Sequence, residues 1–350
     1  MSFVNVTIDE LNDASSKTIL ILSLFSIIPG GIGLIFNILV FSRPSMCREP
    51  CAAYFFWSTC FSLIYVLILQ PVRVLAVSFN IDQANYNLGV CKIEFFVFYI
   101  TRSASSWFIV IACIDRFLHS SANAHFRQIS SLKIAKIVIL ITSIVIILLH
   151  SHMLVYYEIS YSSDQFGNIT PACFGRKGIY RTFIGFWNLA LYSFCPSILM
   201  LFFGLLTLKN LHQHRLVIPV NLETNRQVRR TDTQLLRMLI AQVLIIFIFT
   251  LPISIIQLYS SFTLNVVKNT LRLAQENLAA RLASELTYFA HSSTFFLYTL
   301  TGTIFRKELS KIIKQYCRFN HNRPNRIHDE THRMSVLQKS QKTQTHTNHL

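Results

Sequence analysis

Charged side chains are scarce in this sequence: Asp, Glu, Lys and Arg together make up 14% of its 350 residues. A soluble domain carries about a quarter of such residues, so the composition argues against an ordinary soluble protein. Hydrophobic residues make up 52%. They fall into blocks of about 20–25 residues, the length of helix that crosses a hydrocarbon core about 30 Å thick. Because backbone amides in lipid must be satisfied internally, we predict that these blocks are helices.

The sequence also lacks the short motifs of common enzymes and transporters. It contains no HExxH, no GxSxG and no Gly-rich phosphate loop, the patterns that would point to metal-dependent, hydrolytic or nucleotide-dependent chemistry. The histidines near the C-terminus have irregular spacing. No repeat relates two halves of the chain, as it would in an inverted-repeat transporter. We therefore predict no enzymatic activity, no cofactor and no metal site.

Acidic residues are half as numerous as basic ones, 16 against 32, which gives a net charge of +16. The basic residues flank apolar blocks, so the positive-inside rule accounts for them better than a nucleic-acid partner does. An extracellular N-terminus places 21 Lys and Arg residues on the cytoplasmic side and 9 outside. The glycosylation sequons at Asn5 and Asn168 then share the outer face. This predicts a multi-pass plasma-membrane protein in contact with the lipid bilayer, with a cytoplasmic C-terminus and no nucleic acid.

Seven apolar spans divide the chain. Residues 1–17 are predicted to be an extracellular tail, and residues 18–304 the membrane domain. The last span is the weakest, because Glu285 and His291 interrupt it. Residues 318–350 are polar and lack apolar periodicity, so we predict a disordered cytoplasmic tail. The predicted spans are 18–42, 51–74, 90–115, 133–155, 183–208, 233–259 and 283–304.

The third span carries the most specific pattern. It opens with Cys91 and closes with Asp115-Arg116, and the interval from Cys91 to Arg116 is 25 residues. Cys173 is the only cysteine in the loop between spans four and five. This arrangement resembles the rhodopsin-like (class A) family of G-protein-coupled receptors. Within that family, the sequence is similar to divergent invertebrate orphan or peptide-receptor-like members. The alternative is two free thiols and an arginine that extends to the membrane surface.

The resemblance implies a fold, a disulfide and a switch. The fold would be all-α: a seven-transmembrane helix bundle with a short amphipathic eighth helix in the cytoplasm, over residues 305–317. Cys91 and Cys173 would form a disulfide. Arg116 would be held by Asp115 and, in the inactive state, by Asp232 at the start of span six. Asp232 could instead be a solvated helix cap.

Other landmarks of the family are partly present. Pro252 would act as a hinge in span six, and Thr250 stands where the family usually has a tryptophan. Span seven keeps Tyr298 of the family's NPxxY motif, and Cys317 after the eighth helix is a candidate for palmitoylation. Ser62 lies near the position of the family's aspartate in span two, which puts the family's internal sodium site in doubt.

The resemblance also locates a ligand pocket, for which we select Phe98, Arg102, Thr250 and Glu285. Amine receptors of this family have an aspartate 18 residues before the arginine, and that position is Phe98 here. We therefore predict that the ligand is not a biogenic amine. Arg102 lies inside the bilayer, where an arginine costs at least about 2.5 kcal/mol. It could pair with Glu94 or Glu285, bind an acidic ligand group through its planar fork, or be hydrated.

Together these features predict a receptor that binds an extracellular, peptide-like ligand and activates a cytoplasmic heterotrimeric G protein. The Ser and Thr residues of the tail suggest arrestin as a further partner. The alternative is a polytopic membrane transporter or channel without G-protein coupling. The Cys91–Arg116 interval, together with a cysteine in the loop after span four, favours the receptor, because a transporter has no reason to keep both.

Overall fold

The structure is a computed structural model that describes residues 2–79, 81–163, 169–217, 223–263, 266 and 268–316. The described residues form seven long helices, as predicted, and the second and fifth each contain a π-helical turn. The first helix is Ser2–Phe41, the second Pro50–Ile64, Tyr65–Leu69 and Gln70–Phe79, the third Leu88–His119, the fourth Leu132–His150 and His152–Tyr156, the fifth Ile179–Asn188, Leu189–Phe194 and Cys195–Val217, the sixth Glu223–Phe262, and the seventh Thr270–Ser292 and Thr294–Thr301.

Six of these helices are long and apolar enough to cross a membrane, judged by length and composition. The seventh is not among them, because its first turns carry Arg272, Glu276, Arg281 and Glu285 and because it is interrupted at Ser293. It is the helix that the sequence marks as weakest. The six apolar segments are Asp13–Phe41, Pro50–Phe79, Leu88–His119, Leu132–Tyr156, Ile179–Asn210 and Leu236–Phe262.

The third helix lies at the centre of the bundle and the fourth at its edge. In the most apolar window of the third helix 67% of the residues are buried, against 17% in the fourth. The third helix packs on the second, fourth, fifth and sixth. The fourth is apolar on all sides, which suits a helix that faces lipid. The most polar of the spanning helices is thus enclosed by the others, where its charged residues can meet protein groups.

Local sequence signals explain how the central helices begin. Asn87 Oδ1 accepts hydrogen bonds from the Gly89 and Val90 backbone N–H groups at 2.9 and 3.2 Å, and so caps the third helix. Ser131 caps the fourth helix in the same way. The second helix begins with Pro50, at a position where a missing N–H has no cost.

Two helices begin earlier than their apolar blocks. The sixth begins at Glu223 instead of 233, and the seventh at Thr270 instead of 283. Polar turns extend both helices beyond the predicted spans, and hydropathy alone does not detect them. The predicted tail over 1–17 is likewise helical from Ser2 onward. A further helix runs over 303–316, where the eighth helix was predicted.

A two-stranded antiparallel hairpin follows the fourth helix, and the sequence did not predict it. Strand β1 is Tyr157–Ser163 and strand β2 is Ile169–Gly175, with Ile159 opposite Cys173. The Cys173 backbone N–H also donates a 2.8 Å hydrogen bond to Asn85 Oδ1, which ties β2 to the segment before the third helix.

Several predicted features lie outside the described residues. They are Asn168, Cys317 and the tail over 318–350, together with the side chains of Asn5 and Asp232. Their predicted roles therefore stay predictions.

Candidate functional site

The disulfide predicted from the family resemblance is present. Cys91 and Cys173 are bonded, with their Cα atoms 5.8 Å apart, and both side chains are buried. The bond fastens strand β2 to the first turn of the third helix. We refer to this end of the bundle as the disulfide end and to the opposite end as the Arg116 end.

At the Arg116 end, the third helix closes with a buried charge pair. The Arg116 guanidinium donates to Asp115 Oδ2 through Nη2 at 2.8 Å and through Nε at 3.2 Å. Ser130 Oγ donates to the other oxygen of Asp115 at 2.8 Å. Arg116 Nη2 also lies 4.0 Å from Glu49 Oε2, a carboxylate that is 41% exposed and that the sequence did not single out. Asp115 and Glu49 thus both hold the Arg116 guanidinium.

Arg102 lies near the middle of the same helix, in an aromatic environment. Its side chain is 2% exposed. The guanidinium carbon is 3.9 Å from the ring centre of Tyr192, 5.1 Å from Tyr99 and 5.2 Å from Phe98. Its Nε is buried and has no hydrogen-bond partner. The guanidinium therefore makes cation–π contacts with ring faces, and a hydrogen bond joins it to the Tyr65 side chain.

The ion pair considered for Arg102 is not formed. Glu94 pairs instead with Arg73, at 3.3 Å. Glu285 Oε2 accepts hydrogen bonds from Ser23 Oγ at 2.8 Å and from Gln70 Nε2 at 3.3 Å. Within the part of the chain that the structure describes, no carboxylate forms an ion pair with Arg102.

On the side of Arg102 that faces the Arg116 end, a chain of hydroxyl and imidazole groups crosses the bundle. The Tyr192 hydroxyl shares a 3.2 Å hydrogen bond with His291 Nε2, and His291 Nδ1 shares one of 3.1 Å with Ser62 Oγ. Ser62 in turn lies 2.7 Å from Ser105 Oγ. These hydroxyls and this imidazole occupy the region where the family resemblance implies a sodium site. A hard cation favours carboxylate oxygens, so this set does not fit one.

Thr250 and Ser254, on either side of Pro252, connect the sixth helix to the fifth. Ser193 Oγ, in the π-helical turn of the fifth helix, lies 3.0 Å from Thr250 Oγ1 and 3.1 Å from the Thr250 carbonyl oxygen. It also lies 2.8 Å from Ser254 Oγ, one turn beyond Thr250. Hydroxyls therefore join the two helices on both sides of Pro252. Thr250 is fully buried there.

Tyr298 connects the seventh helix to the sixth and to the first two. Its hydroxyl donates to Gln242 Oε1, and both side chains are buried. Its ring packs edge-on against Phe41 at 5.6 Å and Phe55 at 5.3 Å. The one residue of the NPxxY motif that the sequence retains is thus packed into the core.

The match to a known family agrees with this arrangement. The sequence pattern of the 7 transmembrane receptor (rhodopsin family) matches residues 19–295, most of the chain. The chain belongs to the rhodopsin family of seven-transmembrane receptors. A search of the curated proteins found no match.

In this rhodopsin-family receptor, several residues of the site could not be selected from the sequence. Tyr192 and Ser193 lie in an apolar stretch with no motif around them, and His291 was read only as an interruption of the seventh span. Each acts through partners on other helices. Glu49 had a weak signal, since it is an acid next to a helix-starting proline.

The third helix of the receptor carries two buried arginines. Arg102, near the middle of the helix, has no carboxylate paired with it within the described residues. Arg116, at the end of the helix, is paired with Asp115 and lies 4.0 Å from Glu49. Hydrogen bonds join the groups from Tyr192 to Ser105.

Proposed function

We propose that this protein binds an extracellular ligand near Arg102 and activates a cytoplasmic heterotrimeric G protein through Arg116, without enzymatic activity. One observation supports this most directly. A single central helix joins a disulfide-anchored hairpin at Cys91 to the Asp115–Arg116 pair, over 25 positions or about 37 Å. A change at one end can therefore reach the other through a rigid element.

The proposed orientation has two supports. Disulfides persist on the oxidising side of a membrane, so the Cys91–Cys173 bond supports an extracellular disulfide end. The Lys and Arg distribution, 21 against 9, supports a cytoplasmic Arg116 end. With this orientation in the plasma membrane, Asn5 and Asn168 are accessible for glycosylation. The C-terminal tail is accessible to arrestin, and Cys317 can be palmitoylated near the inner leaflet.

The proposed mechanism is a two-state equilibrium. A ligand that binds the open state more tightly shifts the population toward it. Opening requires the sixth helix to move about Pro252, which separates the Ser193–Thr250 contact and the Tyr298–Gln242 hydrogen bond. The Arg116 guanidinium then leaves Asp115 and faces the G protein. The closed arrangement of these contacts corresponds to the inactive state.

The charges around Phe98 support a ligand other than a biogenic amine. The Arg102 guanidinium lies 5.2 Å from the Phe98 ring centre and the Arg73 guanidinium lies 5.7 Å from it. An ammonium group at this position would therefore meet two cations. A peptide-like ligand has polar and acidic groups that suit this site better.

The test measures coupling directly. The full-length receptor is expressed in cells with sensors for several classes of G protein, and basal and peptide-library-stimulated activation are recorded. We expect activation of at least one class, reduced to background by Arg116→Ala at matched surface expression. Activity that is the same in the wild type and Arg116→Ala for every class would contradict the proposal. A current or solute uptake that persists in Arg116→Ala would favour the transporter or channel alternative.

A further inference from the structure

We propose that Arg102 is an anion-binding group that takes the carboxylate of an organic ligand with an aromatic or apolar body. This inference deepens the proposed receptor function, because it names the chemical class of the ligand at that site. The first observation is that Arg102 has no counter-charge among the described residues. The two carboxylates that the sequence offers as partners for Arg102 have other contacts: Glu94 binds Arg73, and Glu285 binds Ser23 and Gln70.

A buried cation normally has a counter-charge. Arg116, equally buried, has the carboxylate of Asp115. Arg73, whose side chain is 23% exposed, has the carboxylate of Glu94 at 3.3 Å. Arg102 has neither a carboxylate among the described residues nor a partner for Nε. An isolated buried charge is costly, so a ligand anion at this place gains the attraction that the protein does not satisfy.

Arg102 Nε is a buried hydrogen-bond donor without an acceptor among the described residues. An arginine holds a carboxylate most specifically through two adjacent N–H groups, which give two parallel hydrogen bonds. Arg102 Nε, which has no partner, is one member of such a pair. The Tyr192 ring, 3.9 Å from the guanidinium carbon, supports the cation on its face. This contact with the ring face leaves Nε free to donate a hydrogen bond to a ligand.

The surrounding rings determine what the anion is attached to. Phe98 is in contact with Tyr65, Tyr99 and Tyr288, at ring-centre distances of 5.4, 5.4 and 6.5 Å. A ligand that reaches Arg102 therefore passes aromatic faces, which bind aromatic and apolar groups well. A small hydrated ion gains nothing from them.

The experiment compares two probes that differ in charge and share one body, phenylacetate and phenylacetamide. Each is titrated into purified full-length receptor in lipid nanodiscs, and the thermal unfolding midpoint is measured. We expect phenylacetate to raise the midpoint, since it binds the folded state, and phenylacetamide to leave it unchanged. In Arg102→Gln the apparent affinity for phenylacetate should fall about 10- to 100-fold, the loss of charge-assisted hydrogen bonds.

One variant serves as a control. Arg181→Gln removes a guanidinium that lies 5.1 Å from the ring centre of Phe174 on strand β2, and should keep the phenylacetate effect. Equal midpoint shifts with both probes in the wild type would overturn the inference, and this comparison does not depend on the folding of any variant. Full retention of the phenylacetate effect in Arg102→Gln would also overturn it.

A chloride titration distinguishes the source of the anion. A midpoint rise with chloride that equals the rise with phenylacetate, and that Arg102→Gln abolishes, would assign Arg102 to an inorganic ion and overturn the ligand assignment. The measurement needs no G protein. A receptor that activates G proteins but does not distinguish phenylacetate from its amide refutes this inference alone. One that binds phenylacetate but never activates a G protein refutes the proposed function alone.

Discussion

Arg102 and Arg116 lie on the same helix, 14 positions apart, and each side chain is 2% exposed. Their surroundings differ in kind. Arg116 meets the carboxylates of Asp115 and Glu49, whereas Arg102 meets aromatic ring faces. An arginine that is paired with carboxylates must break that ion pair before it can bind another group. A cation held by rings can accept an anion without breaking an ion pair.

Cys91 and Cys173 belong to the same buried cluster as Tyr99, a ring neighbour of Arg102, and loss of their disulfide gives the largest expected effect. Cys173→Ser releases β2 from the third helix and should lower the free energy of unfolding by about 2–4 kcal/mol, from loop closure in the unfolded chain. Surface expression and the thermal midpoint of purified receptor measure it. Cys60→Ser, at a free cysteine, is the control. Equal midpoints for the two variants would contradict the expectation.

The comparison of the two arginines can be tested by making the same change at each. Arg116→Gln leaves the buried Asp115 carboxylate without its guanidinium, which should cost about 1.5–3 kcal/mol. Arg102→Gln leaves no carboxylate among the described residues without a partner, so its surface expression should stay closer to that of the wild type. Flow cytometry of both variants measures this. An equal loss in the two would show that Arg102 also balances an acid.

Tyr192 tests whether the hydroxyl beneath Arg102 matters separately from the ring. Tyr192→Phe keeps the face under the guanidinium but removes the hydrogen bond to His291. We expect the thermal midpoint to fall by the equivalent of about 0.5–1.5 kcal/mol, an ordinary buried hydrogen bond. Tyr161→Phe, at an exposed tyrosine of the hairpin, should change nothing. A Tyr192→Phe midpoint equal to that of Tyr161→Phe would show that the network has no stabilising role.

The smallest expected effects concern the outer partners of Arg116. Glu49→Gln should raise basal G-protein activation slightly, because an exposed pair contributes about 0–1 kcal/mol. Asp232→Ala should do the same if this acid holds Arg116 in the inactive state. The readout is ligand-free activation at matched surface expression. Asp13→Ala, which removes an exposed pair with Lys17, is the control. Basal activity at the control level would exclude either acid as a lock.

The sequence predicted the fold well where one helix carries the signal. Apolar blocks located the seven helices, and the Cys91–Arg116 interval led to the disulfide through the family resemblance. Prediction from the sequence failed where polar turns extend a helix beyond its apolar block, as they do before residue 283 in the seventh helix. The hairpin at Tyr157–Ser163 was also missed, although Tyr157, Ile159 and Tyr161 alternate with polar residues, because this short pattern lies in a segment assigned to a loop between two spans.

The partners of the site residues were harder to predict for a different reason. Glu94 lies two turns from Arg102 on one helix, which made an ion pair plausible. The structure shows that Arg73, on the second helix, takes this carboxylate instead. Spacing along a helix gives the direction of a side chain but not its neighbours on other helices. Tyr192 and His291 were missed for the same reason.

The π-helical turns of the second and fifth helices have a consequence for the register of the whole site. Each turn holds one more residue than an α-helical turn, and π-bulges of this kind occur often at functional sites. The two turns contain Tyr65 and Tyr192. Deleting one residue there would restore regular winding and rotate the preceding segment by about 100°. The π-helical turn therefore determines which side chains the preceding segment of the helix turns toward Tyr65 and Tyr192.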